Sequence, residues 1–274
     1  MDGVPTNVGA SQCYAMTKRA TPEELISAYE LACFAPAILK LAKPCLRGTL
    51  CSRPSQSYGG GLPLVDDGFE WPLKNGRPLQ FVAQIEAAVA PQWRRDSGFL
   101  LFFYDSRYWG GSSKDSGHAK VIWQQGTRPL TLDQMPKVRR TRKWLLWKWS
   151  KLHTAKITKQ VYLEFHTSKS FPSLDRGLLK LPSEAEEESY CEFLAALDSP
   201  IQIGGYPVPI QSDTMEADCA KCVDVPVDRW TLMLQSQELG DQRWGDAGCL
   251  YWFIPDQDLE SGRLDRVWLV SQSF

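Results

Sequence analysis

The sequence predicts an α+β fold in which one unit occurs twice, with mainly antiparallel sheets and a few flanking helices. Three observations predict it. First, an order of motifs repeats. Gly60-Gly61-Leu62-Pro63 precedes the apolar-glutamine run FVAQI (81–85) and the Gly-led aromatic run GFLLFF (98–103). Gly204-Gly205-Tyr206-Pro207 precedes LMLQ (232–235) and GCLYWF (248–253) in the same order. The spacing from glutamine to glycine is 14 residues in one copy and 13 in the other. Second, the apolar runs are short, aromatic or β-branched, and bounded by turn formers, which is strand chemistry. Third, helix starts are written at two places, Thr21 and Ser183.

Taken in order, residues 1–20 lack periodicity and read as a loose arm. Thr21-Pro22-Glu23-Glu24 is a helix start: Thr21 caps, Pro22 fits the first helical position and Glu24 closes a capping box. Leu25, Tyr29, Ala32 and Cys33 follow at helical spacing, Pro36 kinks or ends the helix, and Pro44 closes the segment. Residues 52–78 are rich in Gly and Pro and read as extended chain and turns. Strands are expected at 79–86, 98–104 and 119–124, with a polar loop at 104–117. Residues 129–136 read as a linker. A strand is expected at 161–165 and a loop at 171–182. Ser183-Glu184-Ala185-Glu186 opens a second helix, running to about Leu197, whose acidic first turn suits the helix dipole. Residues 213–228 read as an acidic connection. The stretch 230–256 holds two strand-length apolar runs around a polar loop, and 266–270 is a last strand. The halves are thus about 21–126 and 183–274, with an insert at about 127–182, in a single domain.

With 274 residues, 43% apolar and 23% charged, the chain can bury a substantial core. No apolar run approaches the roughly 18–20 residues that span a bilayer. The first residues, acidic at Asp2, carry no hydrophobic segment of a secretory signal, so a cytoplasmic location and no membrane partner are expected. The eight cysteines then read as reduced thiols.

A net charge of −1 conceals a strong asymmetry. Residues 183–274 carry 18 acidic and 5 basic side chains, while residues 1–182 carry 14 acidic and 26 basic ones. A chain so polarised presents surfaces that steer charged partners. The basic excess concentrates in 137–159, KVRRTRKWLLWKWSKLHTAKITK, with nine Lys/Arg and no acidic residue. Its foremost reading is a helix that packs Trp and Leu inward and solvates its lysines. A partner-binding face, a nucleic-acid surface and a membrane-surface helix are the other readings.

Chemical motifs are sparse. Tyr58-Gly59-Gly60-Gly61 lacks the Gly-Lys-Ser/Thr of a nucleotide loop and reads as a backbone turn. Cys219-Ala220-Lys221-Cys222 is the one paired-cysteine spacing. A zinc site needs two further ligands, and His118, His153 and His166 are scattered, so it reads as loop cysteines without a role. No nucleophile elbow, metalloprotease helix or dinucleotide fingerprint occurs. Asp66, Asp67, Asp246 and Asp256 suit turns better than acid–base catalysis. The expectation is a protein that binds without catalysis and uses no cofactor or metal.

The motifs GGGLPLVDDGFEWP, PLQFVAQI, GFLLFFYD, IGGYPVPIQ and WGDAGCLYWFI, in that order over about 58–270, resemble the bacterial YwqG-like family of uncharacterised domains. The resemblance implies an α+β fold with a duplicated core, and a role in immunity to a secreted toxin. A nuclease toxin, which must present a basic surface, fits the acidic half. Candidate contacts are Asp213, Glu216, Asp218, Asp224, Asp228, Glu238, Asp241 and Asp246. Tyr108, Tyr206 and Trp244, beside Gly-rich loops, are candidate aromatic anchors and equally candidate core residues. The alternative is a ligand- or nucleic-acid-binding module with a groove between the halves, Gln84 and Gln235 being its equivalent polar groups.

Overall fold

The computed structural model describes residues 20–108, 117–144 and 147–274, and of residues 139–144 and 147–152 the backbone alone. The arm assigned to 1–20 lies outside them but for its last residue. The capping box forms as written. Thr21 Oγ1 accepts the Glu24 N–H at 3.1 Å, and Glu24 Oε2 accepts the Thr21 N–H at 2.7 Å, opening α1 (Pro22–Ala28). The helix is shorter than expected because Glu30 turns left-handed at φ 59°. Pro36 then lies in the first turn of a second helix, α2 (Ala35–Lys40), where its missing N–H costs nothing.

Pro44 closes no helix. It is the second residue of β1 (Lys43–Cys51), a nine-residue strand that the sequence reading missed. Short strands follow: β2 (Tyr58–Gly59), β3 (Leu64–Val65), β4 (Leu73–Lys74) and β5 (Arg77–Pro78). The expected strands form as β6 (Gln80–Glu86), β7 (Phe99–Tyr104) and β8 (Ala119–Gln124). At the start of the expected linker, β9 (Arg128–Pro129) pairs with β3. The basic segment is a ribbon of two antiparallel strands, β10 (Val138–Trp144) and β11 (Trp147–His153), and the helix expected there is corrected. Its tryptophans and β-branched neighbours suit extended chain at least as well as helix. β12 (Val161–Ser170) is twice the length expected.

The second helix is α3 (Glu184–Ala196), capped by Ser183. β13 (Ile201–Ile203) precedes α4 (Met215–Cys222), which replaces the acidic connection expected at 213–228. β14 (Trp230–Gln237), β15 (Cys249–Pro255), α5 (Asp256–Ser261) and β16 (Trp268–Gln272) complete the fold.

The fold is α+β, with one large antiparallel sheet of ten strands in the order β16-β15-β14-β13-β1-β12-β2-β6-β7-β8. β1 and β12 lie at its centre and pair along their whole length, from Lys43 opposite Ser170 to Cys51 opposite Tyr162. Strands near opposite ends of this order meet face to face: Phe102 on β7 and Trp252 on β15 have ring centroids 5.5 Å apart. The sheet is therefore curled around a shared core.

Both faces of β7 and β15 are buried, which explains their unbroken apolar sequences. Leu100, Phe102, Leu250, Trp252 and Ile254 point into the shared core. Phe99, Leu101 and Phe103 pack outward on Trp71 and Phe81, while Cys249, Tyr251 and Phe253 pack on Met215 and Cys219 of α4. The helices α1, α2 and α3 close a separate cluster around Tyr190 and Phe193.

The glycine pairs make turns. Gly60 (φ 68°) and Gly205 (φ 74°) are left-handed, and an added Cβ would lie 2.4 Å from the Lys159 carbonyl oxygen and 2.1 Å from Ser170 Oγ respectively. In the first turn Gly60 N–H donates to Val82 O and Gly61 N–H to Thr158 O, each at 2.9 Å. Those donors are spent within the protein, as the turn reading requires and a phosphate cradle does not.

Candidate functional site: an inter-half cleft and an acidic surface

Two of the three candidate anchors line one cleft. Its volume is about 140 Å³, and Tyr104, Tyr108, Arg243, Trp244, Ser271 and Ser273 help form its walls. The first two come from the end of β7, the rest from the loop before β15 and from the end of the chain. Trp244 is positioned by Glu238, whose Oε1 accepts the Trp244 N–H at 2.9 Å. Its indole stands edge-on to Tyr104, with centroids 5.0 Å apart. No hydrogen-bond partner among the described residues reaches its Nε1. Burial, and then the charges of Asp105 and Glu238, push the Tyr104 phenol up, so the ring stays neutral.

Beneath this cleft lies a group that the sequence reading passed over. Asp105, almost fully buried, takes a bidentate pair from Arg107, with Nε and Nη2 each at 2.7 Å. His118 Nδ1 is 3.1 Å from Asp105 Oδ2, and the imidazole lies 5.0 Å from the Tyr108 ring. Asp105 and His118 are brought together by β7 and β8 pairing, since Asp105 N–H donates to His118 O at 2.7 Å. Thirteen residues separate them in sequence, which hid the pair.

Of the two readings of the aromatic residues, core and exposed anchor, the structure places all three on the core side. Tyr108, Tyr206 and Trp244 are 8%, 7% and 6% exposed. Tyr206 lies apart from the cleft, its ring met by Lys43 Nζ at 4.3 Å and by the Arg176 guanidinium at 5.3 Å.

The acidic candidates divide. Asp213 has no exposed side-chain surface: both its oxygens accept from Arg176, and Ser173 donates to Oδ2 at 2.7 Å. Glu216 accepts from the same guanidinium at 2.9 Å. Asp213 is therefore an internal counter-ion and not a surface contact, while Glu216, part-exposed, is held by the same guanidinium. Asp218 pairs with Lys221 on α4, and Glu238 with Arg243 at 3.5 Å. Asp241 Oδ1 accepts the Lys159 N–H at 2.6 Å. Asp224, Asp228 and Asp246 are exposed, and no cation among the described residues forms an ion pair with them. α3 adds exposed Glu184, Glu187, Glu188 and Glu192, spaced to share much of one helical side. Their signal was in the sequence, but the helix dipole accounted for it.

Gln84 and Gln235 are buried and line no groove. Gln84 Oε1 accepts the Leu64 N–H at 2.8 Å and the Tyr58 hydroxyl at 3.1 Å, and its amide donates to Gln56 O at 2.9 Å. Gln235 Oε1 accepts the Val208 N–H at 2.8 Å. The two glutamines hold turns, and this part of the alternative reading is corrected. Cys219 and Cys222 sit on α4, not in a loop, and no disulfide among the described residues includes either. Among the described residues no group of three or more His, Cys, Asp or Glu is placed to hold a metal ion. Nor is any described helix long and apolar enough to cross a membrane.

A comparison with curated proteins finds no match. A family model does match, over residues 57–272, which takes in the sheet from β2 to β16 and the walls of the cleft except Ser273. The chain belongs to the family described as a domain of unknown function, DUF1963.

Proposed function

We propose that this chain is a cytoplasmic immunity protein, of the YwqG-like kind, that binds and neutralises a cognate bacterial toxin in interbacterial competition. The target class is a nuclease, because a nuclease must expose cations to grip its substrate. The observation that carries the reading is the set of exposed carboxylates in the C-terminal half: Asp224, Asp228 and Asp246, with Glu184, Glu187, Glu188 and Glu192 of α3. They belong to a segment with 18 acidic against 5 basic residues. Such a surface steers a cationic protein to itself and covers its substrate site without any catalytic step. Asp213 and Glu216 support it from beneath by fixing Arg176.

The test is capture of the tagged protein from its native cell at low and at high salt. A stoichiometric co-eluting protein, toxic alone and harmless beside this chain, is the expected result. Recovery of nucleic acid or a small molecule in its place would overturn the toxin reading.

A second reading rests on a different observation, the cleft itself. A small ligand that packs against Tyr104, Tyr108 and Trp244 fits it. We also read the two halves as copies of one unit. β2-β6-β7-β8 and β13-β14-β15-β16 run outward from the central pair in mirrored order. β6 and β14 each carry a register shift at the corresponding place, between Phe81 and Ala83 and between Leu232 and Leu234.

A further inference from the structure

The cleft that Tyr104 and Trp244 help to wall has a second property, a surplus of hydroxyl groups. Those of Tyr104, Ser106, Ser271 and Ser273 belong to its lining, and none of the four has a hydrogen-bond partner among the described residues. Tyr104 is more than nine-tenths buried. Its hydroxyl is not sealed from solvent, so the partner it lacks within the protein can reach it from the cleft. Polar groups so placed are ordinarily satisfied. Two more side chains of the wall keep spare capacity. Arg243 Nη1 donates to Gly240 O at 3.2 Å and to Gln242 O at 2.5 Å, which leaves Nε and Nη2. Gln211 Nε2 donates to Ser273 O at 2.7 Å, which leaves Oε1 as an acceptor. The wall itself is fixed: Glu238 Oε1 accepts the Trp244 N–H at 2.9 Å, and the Phe274 N–H donates to Asp246 O at 3.1 Å.

Charge, size and ring geometry narrow what fits. Glu238 lies 3.5 Å from Arg243, and Arg107 takes Asp105 bidentately below, so the arginine of the wall and the carboxylate beneath it are both matched. Asp246, exposed and next to Gly245 in the wall, disfavours an anion. A cavity of about 150 Å³ holds one six-membered ring, whereas drug-sized ligands take about 300–1,000 Å³. At about 140 Å³ the cleft has room for one ring. Tyr104 and Trp244 meet at 83°, which makes a corner and not the parallel slot in which a flat base stacks. Hydroxyls that can donate or accept, an amide oxygen and spare guanidinium N–H groups match a ligand whose own hydroxyls do both.

We infer that the cleft binds a neutral polyhydroxylated ring of monosaccharide size. Its hydroxyls meet those of Tyr104, Ser106, Ser271 and Ser273 and the guanidinium of Arg243, and its C–H face lies against the aromatic corner. The inference rests on the second reading above, that the cleft takes a small ligand, and names the chemistry of that ligand. A soluble sugar and the end of a glycan chain share it. No motif announces these serines, because only the curl of the sheet brings the end of β7 to the end of β16.

The experiment is saturation-transfer NMR and titration of the full chain with glucose, galactose, mannose, N-acetylglucosamine, myo-inositol and maltotriose, beside adenine, phenol and glucose 6-phosphate. At least one of the neutral sugars is expected to bind with a Kd on the order of 1–10 mM. Glucose against maltotriose separates the soluble sugar from the chain end, and binding of either supports the inference. Tyr104→Phe and Ser273→Ala should each weaken that binding about 2–10-fold. Their thermal melts should stay those of the parent, since neither hydroxyl has a partner among the described residues to lose. A sugar bound equally by the parent and both variants overturns the role of these hydroxyls. Tighter binding of glucose 6-phosphate than of glucose overturns the neutral site. If adenine or phenol binds and no sugar does, the inference falls while the small-ligand reading stands. If no probe binds, both fall.

Discussion

Gln84 and Gln235 perform the same task in different halves of the sheet: each side-chain oxygen accepts, at 2.8 Å, the N–H of the residue just after a G-G-x-P turn. The donors are Leu64 and Val208. Each glutamine also pairs across the ladder with the residue two before its turn's first glycine, Tyr58 for Gln84 and Gln202 for Gln235. Those partners in turn bind the x residue's carbonyl, Tyr58 Oη to Leu62 O at 2.9 Å and Gln202 Nε2 to Tyr206 O at 2.7 Å. A repeated motif in sequence is here a repeated hydrogen-bond network.

Replacing either glutamine by leucine strands backbone donors. Gln235→Leu leaves the Val208 N–H without its acceptor, at a cost of about 1–3 kcal/mol. Gln84→Leu also strands the Gln56 carbonyl and removes an acceptor of Tyr58, and is expected to cost roughly twice as much. Urea denaturation of both variants checks the order. Equal and negligible losses would show that the turns hold without them.

The turn glycines give a sharper contrast. Gly60→Ala and Gly205→Ala combine a left-handed backbone with a Cβ inside 2.5 Å of another atom. Each should cost about 2–4 kcal/mol, from strain and overpacking together. Gly68 is also left-handed at φ 81°, yet nothing lies within 4 Å of its Cβ position. Gly68→Ala should therefore cost only about 1 kcal/mol. Thermal melts of the three proteins measure the difference that contact alone makes.

Much of this architecture was legible because its signals are local. The capping box at Thr21, the N-cap at Ser183 and the aromatic runs of β7 and β15 state their own conformation. β1 was illegible for the opposite reason. KPCLRGTLC has one proline, one glycine and two cations, and is a strand because β12 and β13 flank it on both sides. Its neighbours are more than a hundred residues away, and no local pattern announces them. Arg176 hides the same way: it claims Asp213 and Glu216 from about forty residues upstream, so two carboxylates counted as surface are tied to one guanidinium, Asp213 with no exposed side-chain surface. The ribbon was misread because its tryptophans fit a helical stripe as readily as a strand face, and only the pairing decides.

Burial also orders the thiols. Cys219 is fully buried, and burial, then the charges of Glu216, Cys222 and Asp218, push its thiol up. Cys249 is likewise buried and pushed up, first by burial. Cys191 is exposed, yet partial burial and the carboxylates of Glu187, Asp175 and Glu188 raise it too. Thiolate is the reactive form. In the native protein at mildly alkaline pH, a disulfide reagent should modify the exposed Cys33 and Cys191 at least about tenfold faster than Cys219 and Cys249. Site-resolved mass spectrometry reads the order, and rapid labelling of Cys219 would contradict the packing of α4.

Asp258 supplies the pH dependence. Its carboxylate has no exposed surface and lies between Arg263 and Arg266, which are 55% and 38% exposed. Arg266 holds it through Nε at 2.5 Å and Nη2 at 2.9 Å. The Arg266 hydrogen bond first, and the two positive charges with it, hold the carboxyl below the ordinary aspartate range. A carboxyl depressed in the folded state contributes stability that is complete above its unfolded value, about 3.9, and is lost as pH falls through the lower folded value. Asp258→Asn removes that contribution at every pH, leaving two arginines partly solvated, so the cost near neutrality is about 1–3 kcal/mol. The difference between parent and variant should stay constant from pH 8 to about pH 5 and shrink below about pH 4. Chemical denaturation at a series of pH values measures it. A difference that grew on acidification would mean that Asp258 is protonated in the folded state, and that the arginines hold the α5 turn without its charge.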